Sequence, residues 1–351
     1  MVAVSLLTLV PGRLGGSETY VRELLRGLER SGSHSYRVVL PPLAPDAGEG
    51  LPSVVAAEYR RASSTPERLL AMGLASARPG RLGSHLEGVE VVHFPLTIEL
   101  PRTGLPKVVT LHDVQHLDLP GMFPRAERAF RSAFWHRSLR RAARVIATSE
   151  FVRDRAVAKL GLAAERVRVV PLGLDHDVLE PGKVKREPFV LYPARPWPHK
   201  NHARLYEAFA LVRRERPEVR LVLTGGGGGF GAVPEGVDVR GHVTQAELVS
   251  LLQRASALVF PSLYEGFGLP PLEAMACGCP VACSNAGALP ETVADAARLF
   301  DPRDPRAIAG AVLEVLNDPA PWAERGLARA EEFSWDETAR LTDAVYAELL
   351  A

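Results

Sequence analysis

The sequence predicts an α/β protein of two doubly wound domains, each a parallel sheet with helices on both faces. Three observations carry this. Short, fully apolar runs of the kind buried in parallel sheets recur along the chain, and stretches with helical apolar spacing lie between many of them. The polar segment Glu180–Pro188, with two prolines and a glycine, divides these runs into two series and reads as an interdomain linker. A chain of 351 residues also exceeds what one ordinary core supports.

In the first series the apolar runs are Val2–Val10, Val38–Leu40, Val89–Phe94, Lys107–His112, Val145–Thr148 and Val167–Val170, with helical patterns over Ser17–Arg30, Arg125–Ala143 and Glu150–Leu160. Residues 41–80 are irregular, rich in Pro, Gly and Ala, and no element is assigned there. The second series runs through Phe189–Tyr192, Val219–Leu223, Val237–Val239, Ala257–Phe260, Val281–Cys283 and Arg298–Phe300, with helices over Ala203–Arg214 and Gln245–Arg254. Ser334 stands near the N-cap of a terminal helix over Thr338–Leu350. The domains are therefore drawn at 1–180 and 188–333, followed by the helix at 334–351.

A formal net charge of +1 provides no global field to recruit nucleic acid, and no nucleic-acid module accompanies it. No apolar run reaches the roughly 20 residues that span a bilayer, and the apolar start lacks the basic residues of a signal peptide. The three cysteines, Cys277, Cys279 and Cys283, are too few for a zinc site without an adjacent histidine; they read as small packing residues in a cytoplasmic protein. Arginines crowd the stretch from Arg125 to Arg144, where Ala126, Phe130, Ala133 and Phe134 share a helical face. A solvated helix face and a peripheral contact with anionic lipid both fit that pattern.

The most informative segment runs from Pro261 to Met275. It places Glu265 and Glu273 on either side of a glycine loop that opens a helix after the apolar strand Ala257–Phe260. One helix carrying both acids would hold them about 12 Å apart along its axis, and Gly266, Gly268, Pro270 and Pro271 oppose helix there. Glu265 therefore belongs to the loop and Glu273 to the first turns of the helix. The strand, turn and helix start make an anion site. Arg195 and Lys200 sit in the proline-fixed loop Pro193–Asn201, where they read either as diphosphate ligands or as solvated surface charges.

Thr224 ends a strand, and Gly225 to Gly229 follow it as a backbone surface for a base or ribose, or as a plain loop; Gly241-His242-Val243 offers a second edge for the base. In the first domain, His112-Asp113 ends a strand where ligands of parallel sheets gather, and His93 is a weaker candidate of the same kind. The cluster Gly12-Arg13-Leu14-Gly15-Gly16-Ser17-Glu18 lacks the dinucleotide fingerprint. It reads equally as a phosphate or sugar contact and as a turn with an N-cap at Ser17.

Taken in order, Gly15-Gly16, His112-Asp113, Ala147-Thr148-Ser149-Glu150-Phe151, Val170 to Asp175, Arg195 with Lys200-Asn201, and Glu265 through Glu273 resemble the retaining glycosyltransferases of family 4 over nearly the whole chain. The resemblance implies the GT-B fold, two Rossmann-like domains facing a central cleft, with the terminal helix crossing back to the first. It implies transfer of a hexosyl group, mannosyl as first guess, from a GDP-, UDP- or dTDP-sugar to a hydroxyl of a polysaccharide, lipid-linked or small-molecule acceptor, with configuration retained. Arg195 and Lys200 would hold the donor diphosphate and Glu273 the ribose. Glu265 would lie beside the donor sugar with the amides of Gly266, Phe267, Gly268 and Leu269. His112 would reach the sugar, and Gly15 and Gly16 would close over the phosphates. No metal or other cofactor is expected. Leu172, where many members carry asparagine, and Trp197 and His199 between the two cations depart from the common pattern. A sugar-nucleotide epimerase of the same fold and a noncatalytic nucleotide-sugar binding protein remain the alternatives.

Overall fold

A computed structural model describes every residue except 13–14, 60–66, 68–70, 74–78, 227 and 351, and only the backbone of residues 79 and 81. The chain divides into two compact units, Met1–Gly173 with Trp335–Ala351, and Leu174–Ser334. The first unit thus ends at Gly173, ahead of the Pro/Gly-containing segment used to place a boundary at 180.

The strands of the first unit are β1 (Val2–Ser5), β2 (Tyr36–Leu40), β3 (Ser53–Val55), β4 (Val91–Phe94), β5 (Lys107–Leu111), β6 (Arg144–Ala147) and β7 (Val167–Val169). They pair in the order β3-β2-β1-β4-β5-β6-β7, every pair parallel. The central strands β1, β4 and β5 are buried along their whole length, which explains why their sequences are predominantly apolar, with Ser5, His93, Lys107 and Thr110 the buried polar exceptions. Two expectations change here. The apolar run from Val2 leaves the sheet after Ser5, where the chain turns on the bond from the Leu9 amide to the Leu6 carbonyl. The irregular region supplies an edge strand, β3, too short and too exposed to show an apolar pattern.

Helix Gly16–Ser31 begins one residue before Ser17, which is therefore inside it and not its N-cap; the cap position is Gly15, at φ 56°. Helix Glu150–Leu160 is capped by Ser149, whose Oγ accepts from the Val152 amide at 3.1 Å. The basic stretch forms α-helix over Arg125–Arg131, π-helix over Ser132–His136 and α-helix again over Arg137–Arg141. Phe130 and Phe134 stack at 4.9 Å and pack on the core, while Ala126 and Ala133 are exposed, so the four do not form one open apolar face. The terminal helix Trp335–Leu350 belongs to this unit and lies along helix Gly16–Ser31. Gly27 permits that approach, since a Cβ there would sit 2.7 Å from the Ala339 Cβ.

The second unit has β8 (Glu187–Pro193), β9 (Arg220–Thr224), β10 (Val237–Gly241), β11 (Ala255–Phe260), β12 (Val281–Ser284) and β13 (Arg298–Phe300). Their order is β10-β9-β8-β11-β12-β13, again wholly parallel. The expected linker is partly built into this unit. β8 already starts at Glu187, and Arg186 donates to the carbonyls of Ala255, at 2.6 Å, and Gly278. All three cysteines are buried and free, packing residues as their sequence context implied. No helix among the described residues is long and apolar enough to cross a membrane.

Candidate functional site

In the second unit the chain winds outward from β8 through β9 to β10, then returns to place β11 on the other side of β8. β8 and β11 are therefore adjacent strands whose connections leave to opposite sides, the switch point at whose carboxyl edge ligands of open parallel sheets bind. Arg195 and Lys200 leave β8 and Glu265 leaves β11, so the topology alone brings them to one place. Lys200 Nζ pairs with Glu265 Oε1 at 2.6 Å, the two side chains 13% and 15% exposed. The Lys200 ammonium also lies 5.2 Å from the centre of the Phe260 ring.

The loop that carries these cations is held from several sides. Its backbone is pinned by the Trp197 amide to the Arg195 carbonyl at 2.7 Å and the Lys200 amide to the Trp197 carbonyl at 2.9 Å. The buried Tyr192 hydroxyl donates to the Lys200 carbonyl at 2.7 Å. Asn201 closes the turn in the left-handed region at φ 63°, and its amide donates to the carbonyls of Pro261 (3.1 Å) and Pro302 (2.7 Å). The Leu263 amide donates to the His199 carbonyl at 2.7 Å, tying the loop after β8 to the loop after β11.

The segment after β11 follows its sequence closely. Gly268, at φ 118°, caps helix Leu269–Ala276, with prolines in the first turn. The Thr292 hydroxyl holds the Phe267 carbonyl at 2.7 Å, while the Phe267 ring is buried edge-on against Phe333; only the backbone of Phe267 is left for a ligand. Gly266 and Leu269, on either side, are partly exposed. Glu273 lies in the second turn of the helix, half-buried, and burial pushes its carboxyl up to about 7. That value places the acid between its protonated and ionised forms at neutral pH.

Thr224 is buried at the end of β9, and its carbonyl accepts from the Ala194 amide at 3.0 Å. Gly225, at φ 112°, is required by close packing: a Cβ there would meet the Ala194 carbonyl carbon at 2.7 Å. The glycine run thus lies against the Arg195 loop; Gly227 is outside the described residues. Val243 is half-buried just ahead of helix Gln245–Arg254, which a Thr244–Glu247 capping box starts.

In the first unit His112 follows β5. Its Nε2–H donates to the Pro95 carbonyl at 2.9 Å, and burial lowers its pKa, so the neutral ring keeps Nδ1 as an acceptor. Asp113 accepts from the Gln115 amide at 2.9 Å and faces Arg131 at 3.6 Å. His93 is not a ligand group: it is wholly buried, held at about 3 by desolvation, and bonded through both nitrogens, to Tyr346 (2.6 Å) and Thr110 (2.8 Å). Gly15 and Gly16 open their helix while Glu18 accepts from the Gly12 amide at 2.7 Å, folding the glycine turn onto the first helical turn. Arg13 and Leu14, the middle of that turn, are outside the described residues.

Sequence reasoning gave no role to Asn201, Thr292 or Gly287. A Cβ at Gly287, at φ 66°, would meet the Glu265 carbonyl oxygen at 2.6 Å, and the Ala288 amide donates to that carbonyl at 3.0 Å. Its signal was present, a glycine in the turn that leaves β12 at the same sheet edge.

Two Rossmann-like parallel-sheet units, one gathering cations and acids at its strand ends, define the GT-B class. Residues 14–178 match the family described as Glycosyltransferase Family 4, and residues 177–332 match Glycosyl transferases group 1. The O-antigen chain mannosyltransferase B of Escherichia coli is 33% identical over 273 residues, covering 70% of this chain and 71% of its own. The MMP alpha-(1->4)-mannosyltransferase of Mycolicibacterium hassiacum is 31% identical over 286 residues, covering 72% and 68%. Among solved structures, sucrose-phosphate synthase from Thermosynechococcus elongatus matches 99% of the chain and 98% of its own with a TM-score of 0.80 at 21% identity. Anabaena HepE in complex with UDP-glucose matches 99% of each chain with a TM-score of 0.71 at 18% identity. The chain belongs to the group 1, family 4 glycosyltransferases, and it is a glycosyltransferase.

Proposed function

We propose that the chain moves a hexosyl group, mannosyl in the first instance, from a nucleoside-diphosphate sugar to an acceptor hydroxyl with retention of anomeric configuration. The Lys200–Glu265 pair at the switch point of the second sheet carries this proposal. A cation fixed by a carboxylate on one side can meet a diphosphate on the other, and Arg195 leaves the same strand end. Similarity to two mannosyltransferases favours mannose and, with it, GDP-mannose as donor.

The proposed roles are those the family resemblance implies, and the positions of these side chains support them. Arg195 and Lys200 stabilise charge building on the leaving diphosphate, and the leading amides of helix Leu269–Ala276 add to their field. Glu273 in its ionised form accepts from ribose hydroxyls. His112, neutral, accepts from a sugar hydroxyl through Nδ1. The bond from C1 to the phosphate oxygen breaks as the acceptor oxygen bonds C1 on the same face, and the acceptor's proton passes to the departing phosphate oxygen. Cations and amides carry the charge in this scheme, so no metal enters it. We also infer a peripheral, electrostatic contact with anionic lipid at the cytoplasmic face of a membrane, through the exposed Arg125, Arg128, Arg137, Arg140 and Arg141.

The test is incubation with GDP-, UDP- and dTDP-sugars, with and without glycan acceptors, followed by NMR of the anomeric proton. Released nucleoside diphosphate with an α-linked product from an α-linked donor supports the proposal. An isomerised donor, or binding without turnover, refutes it in favour of an epimerase or a binding protein.

A further inference from the structure

We propose that Tyr20 is a positioning residue for His112, and that a buried relay from Tyr20 to Tyr346 makes the terminal helix part of that positioning. The functional half of this inference rests on the role given above to His112; the geometric half stands alone.

The imidazole of His112 is restrained at two places. The Pro95 carbonyl, which can only accept, fixes the proton on Nε2 at 2.9 Å. The Tyr20 ring meets the imidazole edge-on, with centroids 5.0 Å apart and planes at 79°. Turning the imidazole over about Cβ–Cγ would put Cε1–H in place of Nε2–H and Cδ2–H in place of Nδ1, break the bond to Pro95, and sweep the ring against the phenol. Nδ1 is thereby kept as the nitrogen left for a ligand.

Tyr20 is restrained in its turn. Its hydroxyl lies 3.0 Å from Thr110 Oγ1, on the strand that carries His112 two residues later. Thr110 Oγ1 is also 2.8 Å from His93 Nε2, and His93 Nδ1 is 2.6 Å from the Tyr346 hydroxyl. The Thr97 hydroxyl donates to the Thr110 carbonyl at 2.7 Å and steadies the middle of the chain. Tyr20, Thr110, His93 and Tyr346 are each no more than 1% exposed, so no water replaces a lost partner. A neutral His93 leaves one proton on each of the four groups for the three links between them. The relay can thus run in either direction but cannot be interrupted without stranding a buried polar group.

Tyr346 stands on the terminal helix and His93 at the end of β4. The relay therefore crosses from the last turns of the chain to the strand that presents His112. Any buried tyrosine needs a partner for its hydroxyl; the edge-on contact with an imidazole, joined to a hydroxyl link onto the strand that presents that imidazole, is what singles out Tyr20.

The experiment uses the full chain with 15N-histidine labelling, NMR of the His112 ring nitrogens, and steady-state turnover of GDP-mannose for Tyr20→Leu, Tyr20→Phe and Tyr346→Phe. Tyr20→Leu is expected to mix the two His112 tautomers and to lower kcat about 10- to 100-fold, with donor KM little changed. Tyr20→Phe, which keeps the edge contact but breaks the link to Thr110, is expected to recover turnover in part while still shifting the His112 resonances. Tyr346→Phe is expected to shift the same His112 resonances. The proposal is overturned if Tyr20→Leu lowers Tm yet leaves the His112 nitrogens and the turnover per folded molecule as in the wild type. Its relay is overturned if Tyr346→Phe leaves those nitrogens unchanged. A wild-type chain that turns over no nucleotide-sugar counts against the proposed function, while the resonances still decide whether Tyr20 positions the ring.

Discussion

Lys200→Ala separates a catalytic cation from a structural one. The Lys200–Glu265 contact of 2.6 Å, with both side chains about one-seventh exposed, has a Coulomb attraction on the order of 6 kcal/mol at an effective dielectric of 20. Most of that attraction only offsets the loss of hydration by the two charges. Breaking a fully buried pair costs about 3–5 kcal/mol, and water at this rim reduces the expected loss to about 1–3 kcal/mol. Turnover should suffer more. A donor aimed at developing negative charge contributes about 10²- to 10³-fold in kcat, so Lys200→Ala should lower turnover by that factor while the chain stays folded. The assay is nucleoside-diphosphate release beside thermal denaturation. The double variant Lys200→Ala/Glu265→Gln removes the stranded carboxylate and should regain stability but not turnover. Wild-type-like turnover in Lys200→Ala, or turnover restored in the double variant, would refute the role given to the ammonium.

Three further outcomes follow from the same geometry. Glu273, raised from 4.5 to about 7, binds its proton in the folded state where the unfolded chain has lost it; stability should therefore fall as pH rises from about 4.5 to 7, by at most about 3 kcal/mol. Glu273→Gln should flatten that decline in Tm and also abolish the improvement in donor KM expected as the carboxyl ionises near pH 7. Gly268→Ala places a side chain at φ 118° with its Cβ 2.6 Å from Leu289 Cδ2, and should lower stability by about 1–3 kcal/mol on denaturant unfolding; no change would mean that the cap relaxes freely. Binding to anionic vesicles in a flotation assay should weaken by about 1 kcal/mol for each of Arg125, Arg128, Arg137, Arg140 and Arg141 changed to Gln, and fade with salt; retention at high salt would contradict a purely electrostatic contact.

How much of this was legible in the sequence depended on what each signal measures. Apolar runs mark burial, and the central strands β4, β5, β8 and β11 lie where the runs place them because burial on both faces favours apolar residues at most of their positions. β3 escaped because an edge strand with two exposed positions has no such constraint. The glycine-proline spacing after β11 was legible for a different reason: only glycine tolerates φ 118° at the helix start, and only a first turn tolerates two prolines. In the arginine-rich helix only the two large members of the expected face, Phe130 and Phe134, pack on the core; alanines at helical spacing carry too little apolar surface to require burial.

His93 and His112 show where residue type and position stop being informative. Both stand at strand ends of the same sheet, and both are depressed by burial. They differ in what their second nitrogen meets. His93 spends both nitrogens on Thr110 and Tyr346, so it can join two elements but has nothing left for a ligand. His112 spends one on Pro95, and no described residue takes Nδ1. The same economy distinguishes the second unit, where Lys200 keeps donors beyond the one given to Glu265, since an ammonium carries three protons. For His112 and Lys200 the capacity their own fold leaves open is what distinguishes them from His93, and that count requires coordinates because the partners that take up the rest are distant in sequence.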